Sequence, residues 1–372
     1  MKRILINGIN AKTGGGKSIL TNLLQTIKSQ NSSEIKYFIL SPDPKLYQEF
    51  ESEKINIVDI PNIFKKNLLF IGLFYWAIPN LLKKYKINSI LNLSNIPIPT
   101  KIHQVFLFQW AYAVYPESTI WKKMELKDKL IRKTKILFFK INCKFIDVCI
   151  AQTTTIEKRL KEQYNLNQIK VIPNSVTFID SPEPVKTSLP KGEKLLYLTH
   201  YYPHKNFEVL IPFAEKIKEN NLDFKIITTI EESQHKGAEL FLKEVSDKNL
   251  TEIIINIGPI TINQISSLYN QCDALLMPTL LESYGLTYIE AMNFDTPIIA
   301  SDLDFAHTVC KNGAVYFQPF DGEDLFNVTK DLFSNPEKIE NLKANGKEIL
   351  KGIPSWEVLI EKYVDLLKNT GR

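Results

Sequence analysis

From Ile4 onward the chain alternates short apolar runs with longer amphipathic stretches, and polar turns separate them. The runs "ILING" (4–8) and "YFIL" (37–40) are almost wholly apolar, the pattern of strands covered on both faces. "SILTNLLQTIK" (18–28) and "NLLFIGLFYWAIPNLLKKY" (67–85) repeat apolar residues at helical spacing instead. "SILNLS" (89–94), "QVFLFQW" (104–110) and "DVCIAQT" (147–153) predict further strands. Strands alternating with helices imply a parallel sheet with helices on both faces.

The same rhythm restarts after "VIPNSV" (171–176) and a Pro- and Ser-rich segment, "SPEPVKTSLP" (181–190). It predicts strands at "KLLYLTH" (194–200), "FKIITTI" (224–230), "EIIINIG" (252–258), "ALLMPT" (274–279) and "PIIAS" (297–301). Helices are expected between them, at "NFEVLIPFAEKIKEN" (206–220), "AELFLKEVSDK" (238–248), "NQISSLYNQC" (263–272) and "TYIEAMNF" (287–294). A chain of 372 residues also exceeds what a single core usually serves. The fold class expected is therefore α/β, with two doubly wound Rossmann-like domains facing each other across a cleft. Their bounds are read as 1–173 and 174–354. A last helix at "SWEVLIEKYVDLL" (355–367), within 355–372, is expected to pack back on the first domain. Ligand should sit outside the carboxyl ends of the strands.

Charge changes the picture once the chain is divided. Residues 1–173 hold 27 Lys+Arg against 12 Asp+Glu, whereas the remainder holds 46 − 27 = 19 against 41 − 12 = 29. Much of the excess lies in "WKKMELKDKLIRKTKILFFKINCK" (121–144), with nine basic and two acidic residues. Such a segment suits an anionic membrane surface, and equally a solvated helix face. Motifs that read nucleic acid are missing, so no nucleic-acid partner is expected. The apolar run at 68–82 is too short for a bilayer span and is broken by Pro79; it reads as a buried helix or as a segment dipping into a membrane surface. Four cysteines without CxxC spacing suggest neither a disulfide framework nor a zinc site, and a reducing cytoplasm is the expected setting.

Two stretches carry candidate chemistry. "AKTGGGKS" (11–18) fits a relaxed phosphate-loop pattern in which Lys17 would reach phosphate oxygens. A nucleotide hydrolase of that type also needs a strand ending in a magnesium-binding aspartate, and Asp59 after "INIV" is a poor candidate. "PTLLESYGLTYIEAMNFDTPIIASD" (278–302) is more specific. Glu282 and Glu290 bracket seven residues, the first in the loop after a strand and the second in the following helix. Between them Ser283, Tyr284, Gly285, Leu286 and Thr287 offer backbone N–H groups at a helix amino-terminus, an arrangement that favours phosphate. Gly285 permits close backbone approach, and a carboxylate at each end can accept from sugar or ribose hydroxyls.

With "IPNSV", "YLTHYYPHKN" and the glycine turn, this stretch resembles the E-x7-E retaining glycosyltransferases of the GT-B fold, the glycosyl transferases group 1. The resemblance runs over nearly the whole chain. It implies that Glu290 binds ribose hydroxyls, that Glu282 contacts the donor sugar, and that the amides at Tyr284, Gly285 and Leu286 hold the diphosphate. It also implies that Lys205 neutralises the leaving diphosphate and that Gly14, Gly15 and Gly16 lie against donor phosphates or acceptor. His200 stands where the family usually has arginine, implying a weaker or pH-dependent cationic clamp that Lys17 or His204 could compensate. Gln109 replaces a first-domain histidine, leaving His103 without a catalytic assignment, and Phe294 and Asp295 alter a turn. His103, His235 and His307 read as structural or surface residues.

The expected activity is hexosyl transfer, with retention and without a metal or other cofactor, from a nucleotide-sugar to an acceptor hydroxyl. The expected acceptor is a lipid-linked or growing cell-envelope glycan of the lipopolysaccharide, capsule or O-antigen type. Peripheral contact with the anionic inner face of the plasma membrane would follow. The alternatives are a phosphate-loop NTPase using Lys17 and a non-catalytic nucleotide-sugar-binding module.

Overall fold

The computed structural model describes residues 1–12, 14–30, 34–41, 43–60, 70–177, 183–185 and 187–368. In chain order the first elements are β1 (Lys2–Asn7), α1 (Gly14–Ser29), β2 (Ile35–Leu40), β3 (Ile55–Val58), α2 (Phe70–Gly72), a π-helical turn (Leu73–Ala77) and α3 (Ile78–Lys84). Then come β4 (Ser89–Asn92), β5 (His103–Leu107), α4 (Ile120–Lys123), α5 (Leu126–Asn142), β6 (Val148–Ala151), α6 (Thr154–Gln163) and β7 (Ile169–Val171). The second series is β8 (Glu193–Tyr197), α7 (Leu210–Glu219), β9 (Phe224–Thr228), α8 (Lys236–Asp247), β10 (Ile254–Asn256), α9 (Ile265–Tyr269), β11 (Ala274–Met277) and α10 (Leu286–Asn293). It ends with β12 (Ile298–Ser301), α11 (Asp304–Cys310), β13 (Ala314–Phe317), α12 (Gly322–Phe333), α13 (Pro336–Leu350) and α14 (Trp356–Lys368).

These elements make two compact units, each a Rossmann-like α/β layer structure. The first comprises Met1–Pro116, Glu125–Ser175 and Pro354–Arg372. Among the described residues its seven strands are ordered β3-β2-β1-β4-β5-β6-β7, every pair parallel. The second comprises Glu117–Met124 and Val176–Ile353, with six parallel strands among the described residues, ordered β10-β9-β8-β11-β12-β13. Strand sequences such as Ile4-Leu5-Ile6 are buried on both faces, which is why they show no alternation. Among the described residues no helix is long and apolar enough to cross a membrane.

In each sheet the strand order reverses once, between β1 and β4 and between β8 and β11. Polar side chains shape the first reversal. Asn7 Nδ2 donates to Asn92 Oδ1 at 3.0 Å, Asn92 Nδ2 donates to Gln104 Oε1 at 2.8 Å, and Ser94 Oγ donates to the Ile96 carbonyl at 2.9 Å. All four side chains are buried, so these bonds repay lost hydration and fix the 92–98 loop.

The terminal helix α14 is part of the first unit. It packs on α1, β4 and β5 through Trp356, Leu359, Ile360, Tyr363 and Leu367. Its last carbonyls are held from the sheet, by Lys2 Nζ to the Leu367 oxygen at 2.6 Å and by His103 Nε2 to the Leu366 oxygen at 2.9 Å.

Local departures from the expected elements have physical reasons. The 67–85 stretch, of which 67–69 lie outside the described residues, is helical from Phe70 but not continuously α. Pro79 has no N–H, and its ring crowds the carbonyl four residues back, at Tyr75, inside the π turn. "NQISSLYNQC" divides into a 3₁₀ turn closed by a Thr261–Gln264 capping box and the short α9. In the Pro- and Ser-rich stretch, Ser181, Pro182 and Lys186 lie outside the described residues.

Candidate active site

The candidate site is built from the loops that follow β8 and β11. These strands are neighbours, Leu195 opposite Ala274 and Leu196 opposite Leu275, but their chains leave toward opposite edges of the sheet. That reversal opens a crevice at the carboxyl ends. After β8 the chain makes a 3₁₀ turn over Pro203–Lys205, opened by proline, which presets the backbone. It leaves through Asn206 at φ +56°, a left-handed conformation that asparagine tolerates well.

The loop after β11 is stitched to this turn. Leu280 N donates to the His204 carbonyl at 2.8 Å, and buried Thr279 donates its hydroxyl to the same oxygen at 3.2 Å. The Tyr197 hydroxyl donates to the Lys205 carbonyl. Burial raises that phenol well above its ordinary range, so it remains a neutral donor. The result is a salt bridge between two predicted residues, with Lys205 Nζ 2.5 Å from Glu282 Oε1. Both side chains are largely covered, 13 % and 16 % exposed, yet neither is sealed from solvent.

Three residues beyond Glu282, Gly285 takes φ +79° and ends the loop. A β-carbon there would come within 2.6 Å of the Tyr288 ring, so glycine is demanded by both conformation and space. Gly285 offers α10 no side-chain cap. Among the described residues the N–H groups of Leu286 and Thr287 meet no protein acceptor, and they carry the positive end of the helix dipole. Helix α10 is seated on α13, where Gly346 lets Met292 approach closely.

Glu290 lies on this helix, and burial pushes its carboxyl up to about 7, an effect tempered by the Tyr269 hydroxyl that donates toward Oε2 at 3.5 Å. Tyr269 is held by stacking on Phe294 at 5.1 Å and by donating to the Thr287 carbonyl at 3.2 Å. The adjoining Asp295 is left-handed at φ +51° and pairs with Lys347 at 3.0 Å, which accounts for the altered turn.

His200 is exposed on the loop from β8, and a residue that sequence reasoning missed sets its state. Gln234 accepts from Tyr201 N at 2.8 Å, which orients its amide so that Nε2 donates to His200 Nδ1 at 2.9 Å. The ring proton then sits on Nε2, leaving that nitrogen a donor. His204 stacks on Tyr202 at 5.5 Å. The other histidines have structural partners. His103 binds α14, His235 caps α8 by accepting from Gly237 N, and His307 binds Asp302 Oδ1 at 2.5 Å.

The glycine turn belongs to the first unit. Gly14, Gly15 and Gly16 open α1, with Gly14 at φ +59° and Lys17 exposed. Asp59 follows the edge strand β3, which β2 separates from β1 by two strand spacings, about 10 Å. Gln109 lies just beyond β5 and is partly covered.

Residues 182–349 match the family described as glycosyl transferases group 1. They belong to that family. The group 1 domain thus contains Lys205, Glu282, the start of α10 and Glu290, and the whole chain has the GT-B fold. Over 303 residues the chain is 24% identical to the O-antigen chain mannosyltransferase RfbU of Salmonella typhimurium, covering 78% of this chain and 80% of that protein. In structure it is similar to sucrose-phosphate synthase from Thermosynechococcus elongatus, with TM-score 0.77 and 17% identity over 99% of this chain and 98% of that one. It is also similar to Alr3699/HepE of Anabaena, solved in complex with UDP and glucose, with TM-score 0.71 and 12% identity over 99% and 100% of the two chains.

Proposed function

We infer that this group 1 glycosyltransferase moves a hexose from a nucleotide-sugar to an acceptor hydroxyl with retention at the anomeric carbon. The observation that carries the reading is the Lys205–Glu282 pair beside the uncapped start of α10, at the strand-order reversal. As the bond from the anomeric carbon to the donor phosphate oxygen breaks, negative charge collects on the diphosphate. Lys205 and the α10 amides meet that charge, and Glu282 holds the ammonium in place until it is needed. Glu290, once ionised, accepts from ribose hydroxyls. In a front-side displacement the departing phosphate oxygen takes the acceptor's proton, so no separate base is required. Positive charge comes from the chain itself, and turnover is expected to persist in EDTA.

The kinship with an O-antigen chain mannosyltransferase supports a lipid-linked or growing cell-envelope glycan as acceptor. The UDP and glucose in the Anabaena neighbour support uridine-linked donors as the first to screen. The test is release of nucleoside diphosphate from a donor selected by thermal shift, with and without glycan acceptor. Release should require acceptor, and Lys205→Ala should lower kcat by about 100-fold or more. Unchanged kcat in that variant would refute the assignment, and donor binding without release would make the chain a binding module. ATP hydrolysis lost only in Lys17→Ala would restore the phosphate-loop alternative.

A further inference from the structure

Helix α5 turns an apolar stripe outward. At 3.6 residues per turn, positions 126, 130, 133, 137, 140 and 141 share one face. That face points to solvent, with Leu126, Leu130, Leu137 and Ile141 exposed by 85%, 68%, 54% and 47%. The opposite face is mixed, and Phe139 is fully buried on it against Phe106, Phe108 and Tyr164. It buries Asn142 beside Phe139, lays the Arg132 guanidinium over the Tyr112 ring at 4.1 Å, and half-covers Lys135, whose ammonium is lowered by burial and by Arg132. A surface helix of a water-soluble unit normally keeps such a leucine stripe covered.

A second apolar surface adjoins the carboxyl end of α5. In α2 and the π turn, Ile71, Tyr75 and Trp76 are 47%, 43% and 63% exposed. Tyr75 fixes this segment against α5, donating to Asn142 Oδ1 at 2.8 Å and meeting the Phe138 ring edge-on at 6.4 Å. Exposed lysines lie among and beside the leucines at 127, 133 and 140, another follows the helix at 144, and the helix has a single acidic residue, Asp128.

We propose that this face docks on an anionic lipid bilayer, with α5 lying in the headgroup plane. Leucine side chains would enter the acyl boundary, lysines would reach up to lipid phosphates, and Trp76 would sit at the interface, where indole is favoured. Charge decides the occupant. A second copy brought face to face would set lysine rows against lysine rows, whereas anionic headgroups neutralise them. The proposal does not depend on the transferase reading, because docking is measured without turnover.

The experiment is co-sedimentation of the full chain with vesicles of phosphatidylcholine alone and of phosphatidylcholine mixed with phosphatidylglycerol, at low and high salt. Binding is expected on the mixed vesicles at low salt, weaker at high salt and weakest on phosphatidylcholine alone. Leu130→Glu with Leu137→Glu should cut partitioning about tenfold or more, without shifting thermal unfolding, because both positions face solvent. Lys133→Gln and Lys140→Gln should each cost about fivefold. Background sedimentation of the wild type on mixed vesicles at low salt would overturn the proposal, as would equal sedimentation of the leucine variant. A wild-type dimer in light scattering that the leucine variant dissolves, with no vesicle binding, would assign the face to a second copy instead.

Discussion

Glu290 shows what the site costs the fold. Its carboxyl titrates near 7 in the folded chain and at the ordinary carboxylate value, 4.5, when exposed. Below that ordinary value both states are protonated and burial costs nothing; as pH rises toward 7 the unfolded chain ionises first, and stability falls. The loss levels off above 7 at about 3 kcal/mol. Glu290→Gln should therefore melt at higher temperature than wild type above neutrality and equally at acid pH, while binding donor more weakly. Wild-type donor affinity should rise with pH through about 7, since only the carboxylate accepts two hydroxyls well. Calorimetric melts and titrations across that window check both. Glu290, Glu282 and Lys205 were readable in the sequence as individual candidates. Their arrangement was not, because Lys205 and Glu282 are 77 positions apart and meet only where β8 lies beside β11. Gln234 left no signal at all, being one polar residue in a turn whose approach to His200 depends on tertiary packing.

At the level of elements, the loop entering α10 depends on a conformation that only glycine takes cheaply. Gly285→Ala should destabilise the chain by about 1–3 kcal/mol, from the left-handed backbone and the encounter with Tyr288. Donor affinity should fall with it, as the amides rotate away. A thermal melt and a donor titration on the same variant give both values. Buried strands were the most legible elements, since continuous Ile, Leu and Val runs leave little choice of structure. Helices such as α6 and α13 were not foreseen, because they bury few apolar side chains, Ile156 and Leu160 in one and Leu342 in the other. Strands β7 and β13 are three and four residues long and fall below what periodicity resolves. The π turn needed the clash at Pro79, which hydropathy does not register.

For the whole molecule, the first unit depends on residues from both ends of the chain. The side chains α14 buries contribute on the order of 10 kcal/mol, comparable with the entire stability of a domain. Deleting 354–372 should leave the first unit unable to fold, visible as insoluble expression or as rapid proteolysis confined to residues 1–175. The repeated strand–helix alternation and the charge contrast between halves were plain in the sequence. The excursion of Glu117–Met124 into the second unit was not, since four helical residues at Ile120–Lys123 carry no pattern of their own.

The bond from Lys2 to Leu367 spans 365 positions. On the ribosome, β1 emerges well before its covering helix, with all of Val176–Ile353 made in between. At about 5–20 residues per second the nascent first sheet waits roughly ten seconds or longer for that lid. During the delay its greasy flank is open to chaperones, and it closes only once Trp356–Lys368 has emerged to cover it.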